Sequence, residues 1–398
     1  MTALAFPSGT VVMDPLPHLE SVTVSLWVAS GSRHEAEQAR GAAHLVEHLV
    51  SSTHTLSGAS LLSEVDERGG RAEAVTTPEY TLYAATMPVR HWKEIFSLLR
   101  EQFAAPDFSS EAVERQKTLI VDEIKQAQGD PGTHIHDLAL AGLLGDHALA
   151  YPARGRAEDI LELTAEDAMR EHRRQSNRGS FFVVSGGVDS AEAHDVIGLR
   201  EVAEPTPHRP MVRHDAPRVR ASLTRHRSRS TRSHVLVTWL LPDRTPEDDI
   251  PLAVLNRIVG GSINGVLQKA FQGSEGAYSC HTYRSVFSDC AIWSAYASCA
   301  PSLVDTTIRR IESSVEQAWH EDLSDSVAIE KASLSLDGSL AIGFESTRMR
   351  ANWLARRLLD GADLSLVPRV EPRYVDAAEL DRLRSRFVHP HVTVLDAS

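Results

Sequence analysis

Hydrophobic and polar positions alternate from Val22 to Val28, and this two-residue period predicts a half-buried β-strand. Apolar residues then recur at helical spacing around residues 40–68. The β-rich stretch from Ala72 to Met87 predicts two strands, and residues 89–170 return to helical patterns. A strand and turn at 181–187 close this first half, which therefore combines strands and helices.

The second half of the chain repeats this order of predicted elements. Residues 108–113 resemble residues 323–328, an offset of 323 − 108 = 215, and the same offset carries Asp122 onto Asp337. An internal duplication of roughly 200 residues per unit is therefore predicted. The elements predicted here are strands at 235–240 and 277–299 and helices at 250–259 and 304–320.

The division between the halves is predicted at residues 203–233, which are rich in Pro, Arg, Ser and His and show no period. We expect an N-terminal domain over 1–202, this linker, and a C-terminal domain over 234–398. The basic run Arg225–Arg229 falls in the predicted linker and is interpreted as solvated.

Composition excludes several classes of protein. The net charge of −13 argues against nucleic-acid binding, which needs a basic surface. An acidic surface suits a basic peptide substrate but more often only confers solubility. No apolar run approaches the roughly 18 residues of a membrane span, and the N-terminus lacks a signal-peptide pattern. We therefore expect a cytoplasmic protein whose three cysteines, Cys280, Cys290 and Cys299, are reduced.

The candidate chemistry lies in the segment from Gly41 to His48. Residues four apart share one face of a helix, so His44 and His48 can reach one metal ion, and imidazole suits zinc. Glu47 lies on the same side and can approach water without binding the metal. The alternative is a solvated helix face, but the apolar neighbours predict a buried helix on which these polar groups need partners.

A catalytic zinc site of this kind needs a third protein ligand. Glu123 is the best candidate, because it also lies on an apolar helix, where a lone carboxylate would be costly. The adjacent Asp122 should face another side. Taken alone, Glu123 could equally be an acid on a helix surface.

With these residues, the sequence resembles the pitrilysin/insulinase metallopeptidases, which carry an inverted His-x-x-Glu-His motif. The resemblance covers nearly the whole chain and is greatest to half-sized bacterial members and mitochondrial processing peptidase subunits. Its further motifs are Gly31-Ser32-Arg33-His34-Glu35, Gly69-Gly70 with Ala74, Thr76, Glu79, Thr81 and Tyr83, Asp130-Pro131, Gly260-Gly261, Gly276-Ala277-Tyr278-Ser279, and Glu345-Ser346-Thr347.

The resemblance implies an α+β fold of two homologous domains, each a mainly antiparallel sheet packed with helices. It implies one Zn²⁺ per chain in the first domain, held by His44, His48 and Glu123, with Glu47 as the catalytic base of a zinc endopeptidase. The 215-residue offset carries the three ligands onto Val259, Ile263 and Gly338, which cannot bind metal. An extended peptide is expected to add to the strand Glu73-Ala74-Val75-Thr76 and to contact Tyr278.

The chain departs from the family pattern at four positions. Glu73 replaces an asparagine, which could favour a basic substrate residue, and Gln116 replaces a glutamate that supports the metal site. Phe271 and Gly265 stand where active homodimeric members have arginines, so Tyr278 lacks its cationic companion. We therefore expect a heterodimer, in which a homologous partner without the zinc motif supplies the Arg–Tyr pair.

Other interpretations stay open at this point. The chain could be a non-catalytic scaffold, or a peptide-binding protein whose zinc is only structural. Removal of a leader peptide from a small precursor is one activity that the family permits. His134 with His136, and His389 with His391, are weaker metal candidates because no acid stands beside them.

Overall fold

Strands form at Ser21–Val28 and Ser233–Pro242, where the hydrophobic pattern predicts strands, and the chain folds into two compact units. The computed structural model describes residues 2–6, 9–53, 60–189, 200–201, 219, 222–273, 277–361 and 375–397. The first unit comprises Met1–Lys125, Pro152–Val212 and Ile342–Arg369. The second unit comprises Gln126–Tyr151, Arg213–Ala341 and Val370–Ser398.

Each unit is built on one β-sheet. The strands of the first sheet are β1 (Thr2–Phe6), β2 (Gly9–Pro15), β3 (Ser21–Val28), β4 (Arg71–Thr76), β5 (Thr81–Pro88), β6 (Ser180–Gly186) and β7 (Arg200–Glu201). Those of the second are β8 (Leu223–Ser228), β9 (Ser233–Pro242), β10 (Ala277–Val286), β11 (Cys290–Cys299) and β12 (His391–Ala397).

The two sheets share one topology. The first has the order β4-β5-β3-β6-β2-β1-β7, and the second has the order β10-β11-β9-β12-β8. Neighbours are antiparallel except for one parallel pair in each sheet, β2 with β6 and β8 with β12. The five strands β2 to β6 therefore repeat as β8 to β12, which confirms the predicted α+β fold of two homologous units.

Helices cover the sheets. They are α1 (Ala42–Ser52), α2 (Leu61–Glu67), α3 (Trp92–Ala104), α4 (Ser110–Gly129), α5 (Pro131–Leu144), α6 (Ala157–Glu162), α7 (Ala165–Arg178), α8 (Asp249–Val259), α9 (Val266–Phe271), α10 (Val304–Gln317), α11 (Ser326–Gly343), α12 (Thr347–Leu359) and α13 (Ala377–Ser385). The starts of α4 and α11 differ by 326 − 110 = 216 residues, close to the predicted offset.

The units differ from the predicted contiguous domains 1–202 and 234–398, because each takes in one helix from the other half of the chain. Helix α5 packs on the second sheet, where Ile135 and Ala139 join the buried cluster of Leu236 and Tyr296. Helix α12 packs on the first sheet through a buried apolar cluster. The cluster consists of Ala351, Leu354, Ala355, Leu358 and Leu359 with Val12, Trp27, Ala29, Leu82, Ala84, Phe181 and Val183. Burial of these apolar faces decides the division, and sequence order does not.

The predicted linker also needs correction. Its residues Leu223–Ser228 form strand β8, which pairs in parallel with β12, and Ser233 already begins β9. The side chains of β8 alternate between exposed and half-buried, with Arg225 and Arg227 on the exposed side, and such charged residues are common on edge strands. Most of the remaining linker, 202–218 and 220–221, lies outside the described residues. Among the helices that the structure describes, none is long and apolar enough to cross a membrane.

Candidate metal centre

Helix α1 carries His44, Glu47 and His48 and begins at a glycine that its surroundings require. Gly41 has a φ of +88°, in the left-handed region, and a Cβ there would lie 2.5 Å from the Ile160 side chain. The Glu35 carboxylate accepts hydrogen bonds from the amides of Gly41 and Ala43, at 2.9 and 2.7 Å. The acid of the Gly-Ser-Arg-x-Glu motif therefore caps the metal helix.

The helix is held rigidly from its apolar side. Leu45, Val46, Leu49 and Val50 are each at most 1% exposed and belong to the core of the first unit. Because these residues fix the rotation of α1, His44, Glu47 and His48 share the remaining face. His44 and Glu47 are themselves buried, 8% and 6% exposed.

Helix α4 brings Glu123 to this face, as the sequence predicted. Its Oε2 lies 3.7 Å from His44 Nε2 and 3.5 Å from His48 Nε2. One ligand atom from each of the three residues lies within 4.8 Å of the others. In the described part of the chain this is the one group of three or more His, Cys, Asp or Glu residues with such spacing.

Both imidazoles are oriented by hydrogen bonds from their other nitrogen. His44 Nδ1–H donates to the carbonyl oxygen of Arg154, at 3.1 Å. His48 Nδ1–H donates to Gln116 Oε1, at 3.3 Å. In each ring this leaves Nε2 as the free lone pair turned to Glu123, which is the tautomer that a metal ligand needs.

Glu47 is placed to exchange protons beside the cluster. Its Oε2 accepts a hydrogen bond from Thr76 Oγ1 at 3.4 Å and lies 3.7 Å from His44 Nε2. Burial, and then the charge of Glu123, raise the pKa of Glu47 to about 8. Burial, and then the charge of His48, lower the pKa of His44 to about 4, so this ring is neutral and can act as a ligand near pH 7.

A cavity of about 420 Å³ opens over this cluster. The edge strand β4 contributes Glu73 and Ala74 to its wall. Two leucines, Leu62 and Leu119, also line it and are 52% and 50% exposed. Exposed leucines beside the polar His–Glu cluster give the cavity an apolar part.

The predicted substrate strand occupies the open edge of the first sheet. Ala74 and Thr76 face α1, since Ala74 packs on the core and Thr76 binds Glu47. Val75 faces the other way and is 41% exposed. Glu73 is not a free carboxylate, because it forms an ion pair with Arg348 of helix α12. The expectation that Glu73 contacts the substrate and favours a basic residue stays a prediction.

The second unit has no comparable cluster among its described residues. Of the positions that the repeat offset matches to the ligands, Val259 is buried in the core and Ile263 is 88% exposed. Phe271 packs in that core under the Arg310 guanidinium, 5.3 Å from its ring centre. A Cβ at Gly265 would meet Gly260 Cα at 2.8 Å, so an arginine does not fit there without backbone movement. Tyr278 lies on β10, and its side chain is outside the described part.

The other histidine candidates are engaged in hydrogen bonds or stand apart. His136 lies on helix α5 and forms a hydrogen bond with the Tyr283 hydroxyl. His391 is fully buried, and its two ring nitrogens bond the hydroxyls of Ser222 and Thr224. Buried histidines satisfied by hydroxyls are structural residues.

Comparison with known families agrees with this geometry. Residues 10–155 match the family model "Insulinase (Peptidase family M16)", and residues 168–330 match "Peptidase M16 inactive domain". The chain belongs to peptidase family M16, and the match to the inactive type of domain begins in α7 of the first unit and continues into the second unit.

Similar proteins are also named as proteases or peptidases. An uncharacterized zinc protease of Streptomyces coelicolor is 27% identical over 361 residues, which cover 88% of this chain and 78% of that protein. The probable mitochondrial-processing peptidase subunit beta of Schizosaccharomyces pombe is 25% identical over 374 residues, covering 88% and 80%. A protease from Helicobacter pylori has the same fold, with a TM-score of 0.85 at 16% identity over 99% of this chain and 98% of that chain.

Some site residues could not be found from the sequence motifs. The Arg154 contact uses a backbone carbonyl, which carries no signal in a side-chain pattern. Leu62 and Leu119 follow the apolar pattern of core residues, and only the fold shows that they are exposed. For Arg348 the sequence offers one clue. It is a cation in the first turn of a helix, where positive charge is unfavourable.

Proposed function

We propose that this chain is the zinc-bearing subunit of a metalloendopeptidase that hydrolyses peptide bonds in extended peptides. The observation that carries this proposal is the convergence of His44, His48 and Glu123 from two helices, with Glu47 beside them. The proposal goes beyond family membership because family members can lose activity while they keep the fold.

The residues present fit Zn²⁺. Two imidazole nitrogens and one carboxylate oxygen form the ligand set of a catalytic zinc, whereas structural sites have four protein ligands. The hydrogen bonds that His44 and His48 donate to the Arg154 carbonyl oxygen and to Gln116 Oε1 fix both rings in the ligand tautomer. When bound, zinc would supply Lewis acidity toward the scissile carbonyl and acidify water at its open position.

The chain's own residues would then manage the peptide and the proton. The peptide adds as a strand to the free edge of β4, with backbone hydrogen bonds holding it next to the cluster. Glu47 Oε2 accepts a proton from the attacking water while the water oxygen bonds the carbonyl carbon. Glu47 then delivers that proton to the amide nitrogen as the C–N bond breaks. Thr76 keeps the Glu47 carboxyl turned toward the cavity.

The apolar part of the cavity supports a substrate class. Leu62 and Leu119 are half-exposed beside the cluster, and an apolar side chain next to the scissile bond would cover them. Small precursors with an unfolded leader segment satisfy both requirements, an extended backbone and accessible apolar residues.

We further propose a heterodimer with a homologous subunit that lacks the zinc motif. Phe271 is a core residue and Gly265 has no room for a side chain, so neither position offers the arginine that grips substrate in self-sufficient members. A partner that contributes an Arg–Tyr pair would complete the site. Strong cleavage by the isolated chain would contradict this part of the proposal.

The catalytic role is tested with Glu47→Gln, assayed with fluorogenic peptides in the assembly that gives wild-type activity. We expect about one zinc per chain in both proteins and a loss of roughly 10²–10⁴-fold in kcat for the variant. Glu37→Gln removes a 79% exposed carboxyl and is the matched control, with unchanged activity. A Glu47→Gln variant that cleaves at the wild-type rate would show that the chain acts otherwise, as a scaffold or binding protein.

A further inference from the structure

Helix α12 reaches the substrate edge of the first sheet through one arginine. Arg348 lies in the first turn of α12 and forms an ion pair with Glu73 at the centre of β4. The same helix is anchored by Arg350, which binds both carboxylate oxygens of Asp14 at 2.7 and 2.8 Å. The Thr347 hydroxyl bonds that of Thr23 at 2.8 Å. These contacts fix Arg348 relative to the strand.

The position of Arg348 is costly for the helix alone. The first turn of α12 contains no acidic residue, although negative charge is favoured there and positive charge is not. Arg350 offsets its charge through Asp14, and among the described residues Arg348 pairs with the Glu73 carboxylate across the sheet edge. Natural proteins tend to break such local rules at functional sites, so the position of Arg348 points to a role beyond helix stability.

Glu73 contributes to the cavity wall, and its side chain lies on the face of β4 that is turned away from α1. Side chains alternate along a strand, so Glu73 shares its face with Arg71 and Val75, whereas Ala74 and Thr76 face α1. A peptide that adds to β4 alternates in the same way. Every second substrate side chain would therefore lie on this face, and the one in register with Glu73 would lie beside the pair.

The charge balance on this face is positive. Glu73 is the more enclosed partner, with 24% of its side chain exposed, against 42% for Arg348. Arg71 is also exposed and adds a second cation two residues away on the same face. An incoming acidic side chain would meet guanidinium donors that remain open to solvent, and a basic one would meet a carboxylate that is already engaged.

We infer that Arg348, paired with Glu73, is a specificity-determining residue that makes this site prefer an acidic side chain on the α12 face of the bound peptide. This inference rests on the proposed function, because it assumes peptide addition at β4. It reverses the preference that the glutamate at position 73 suggests when the sequence is considered alone.

Peptide binding to a catalytically inactive variant tests the preference for an acidic side chain without turnover. In the Glu47→Gln background, a labelled ten-residue peptide is varied at each position in turn as Asp, Ala or Lys, and its affinity is measured by fluorescence anisotropy. We expect alternate positions near the cluster to bind Asp about three- to fivefold more tightly than Lys at low ionic strength. The difference should shrink in 0.5 M salt, because the pair is partly exposed.

A charge swap provides the decisive comparison. Glu73→Arg combined with Arg348→Glu keeps an ion pair and the net charge, and it should reverse the preference so that Lys binds more tightly than Asp. Arg348→Gln should abolish the preference, while Arg100→Gln, which removes an exposed charge from α3, should leave it unchanged. Zinc content and circular dichroism report whether each variant is folded.

The outcomes separate the two claims. An Asp preference that survives both the swap and Arg348→Gln overturns the role of Arg348, even where peptides bind and wild-type protein cleaves them. Equal binding of Asp and Lys at every position overturns it as well. Failure of the zinc-loaded protein to bind any peptide, in the assembly that gives wild-type activity, removes the proposed function, and the specificity with it.

Discussion

The two units of this chain share a fold but not a site. Both have the same order and direction of five strands, and in both a buried arginine follows the strand at the third position of the sheet. Arg33 binds Glu79 at 2.8 Å, and Arg244 binds Asp249 at 2.9 Å. The two arginines are 244 − 33 = 211 residues apart, close to the repeat offset.

Helix α8 follows β9 as α1 follows β3, yet α8 carries none of the metal-binding side chains. Its buried positions are filled by Leu252, Leu255 and Val259. The comparison teaches that interactions stabilising this fold are repeated in both units, whereas the groups that perform chemistry are not. Fold similarity alone therefore says little about which unit is active.

The largest expected effect on zinc binding comes from removing the ligand His48. The offset-matched position of the second unit, Ile263, serves as its control. His48→Ala leaves only His44 and Glu123, so we expect loss of bound zinc and of all measurable peptide cleavage. Ile263→Ala alters the offset-matched position in the second unit, an 88% exposed side chain, and should change neither. Metal analysis of both purified variants checks this. Zinc retained at one per chain in His48→Ala would show that the ion is held elsewhere.

The buried arginines give the next largest effect. Glu79→Gln leaves the Arg33 guanidinium, whose side chain is fully buried, without its carboxylate, and should destabilise the first unit by roughly 3–5 kcal/mol. Asp249→Asn in the second unit should cost less, because the Asp249 side chain is 35% exposed and Arg244 also bonds the Phe287 carbonyl oxygen.

Urea unfolding followed by hydrogen exchange and mass spectrometry assigns each loss to its unit, since a two-unit chain need not unfold in one step. A larger loss for Asp249→Asn than for Glu79→Gln would contradict the argument from burial.

Much of this arrangement could be predicted from residue patterns, and the limits have physical causes. Periodicity located β3, α1 and α8, because each buries one clear apolar face. The spacing of His44, His48 and Glu123 on apolar helices predicted their convergence. The exchanged helices α5 and α12 could not be predicted, because an apolar face does not specify which sheet will cover it. The pairing of Glu73 with Arg348 depends on that exchange.

The helix cap gives a pH-dependent difference between the units. Burial raises the pKa of Glu35 to about 8, although the amides of Ala43 and Gly41 oppose this. Since the folded pKa lies above the unfolded value of about 4.3, this stabilisation is complete below pH 4 and is lost as pH rises through 8. From pH 6 to pH 8, wild type should lose up to about 2 kcal/mol relative to Glu35→Gln.

Denaturation at both pH values checks this, with exposed Glu37→Gln as the control that should follow wild type. Hydrogen exchange in α1 should increase with pH, and exchange in α8 should not. A variant and wild type that lose stability in parallel would indicate that Glu35 is ionised throughout this range.

The smallest effect concerns the residue behind His48. Gln116 is 4% exposed, and its Oε1 accepts the hydrogen bond from His48 Nδ1. Gln116→Glu replaces a neutral acceptor with a carboxylate, which makes the imidazole more basic, and zinc affinity should rise about tenfold. Competition with a chelator measures this, and Gln126→Glu adds the same charge at an exposed position of the same helix as a control. Among the described residues, the second unit has no metal ligand that such an acceptor could orient, so the effect is confined to the first unit.

Weaker zinc binding by Gln116→Glu would mean that the cost of burying a second carboxylate exceeds what it contributes through His48.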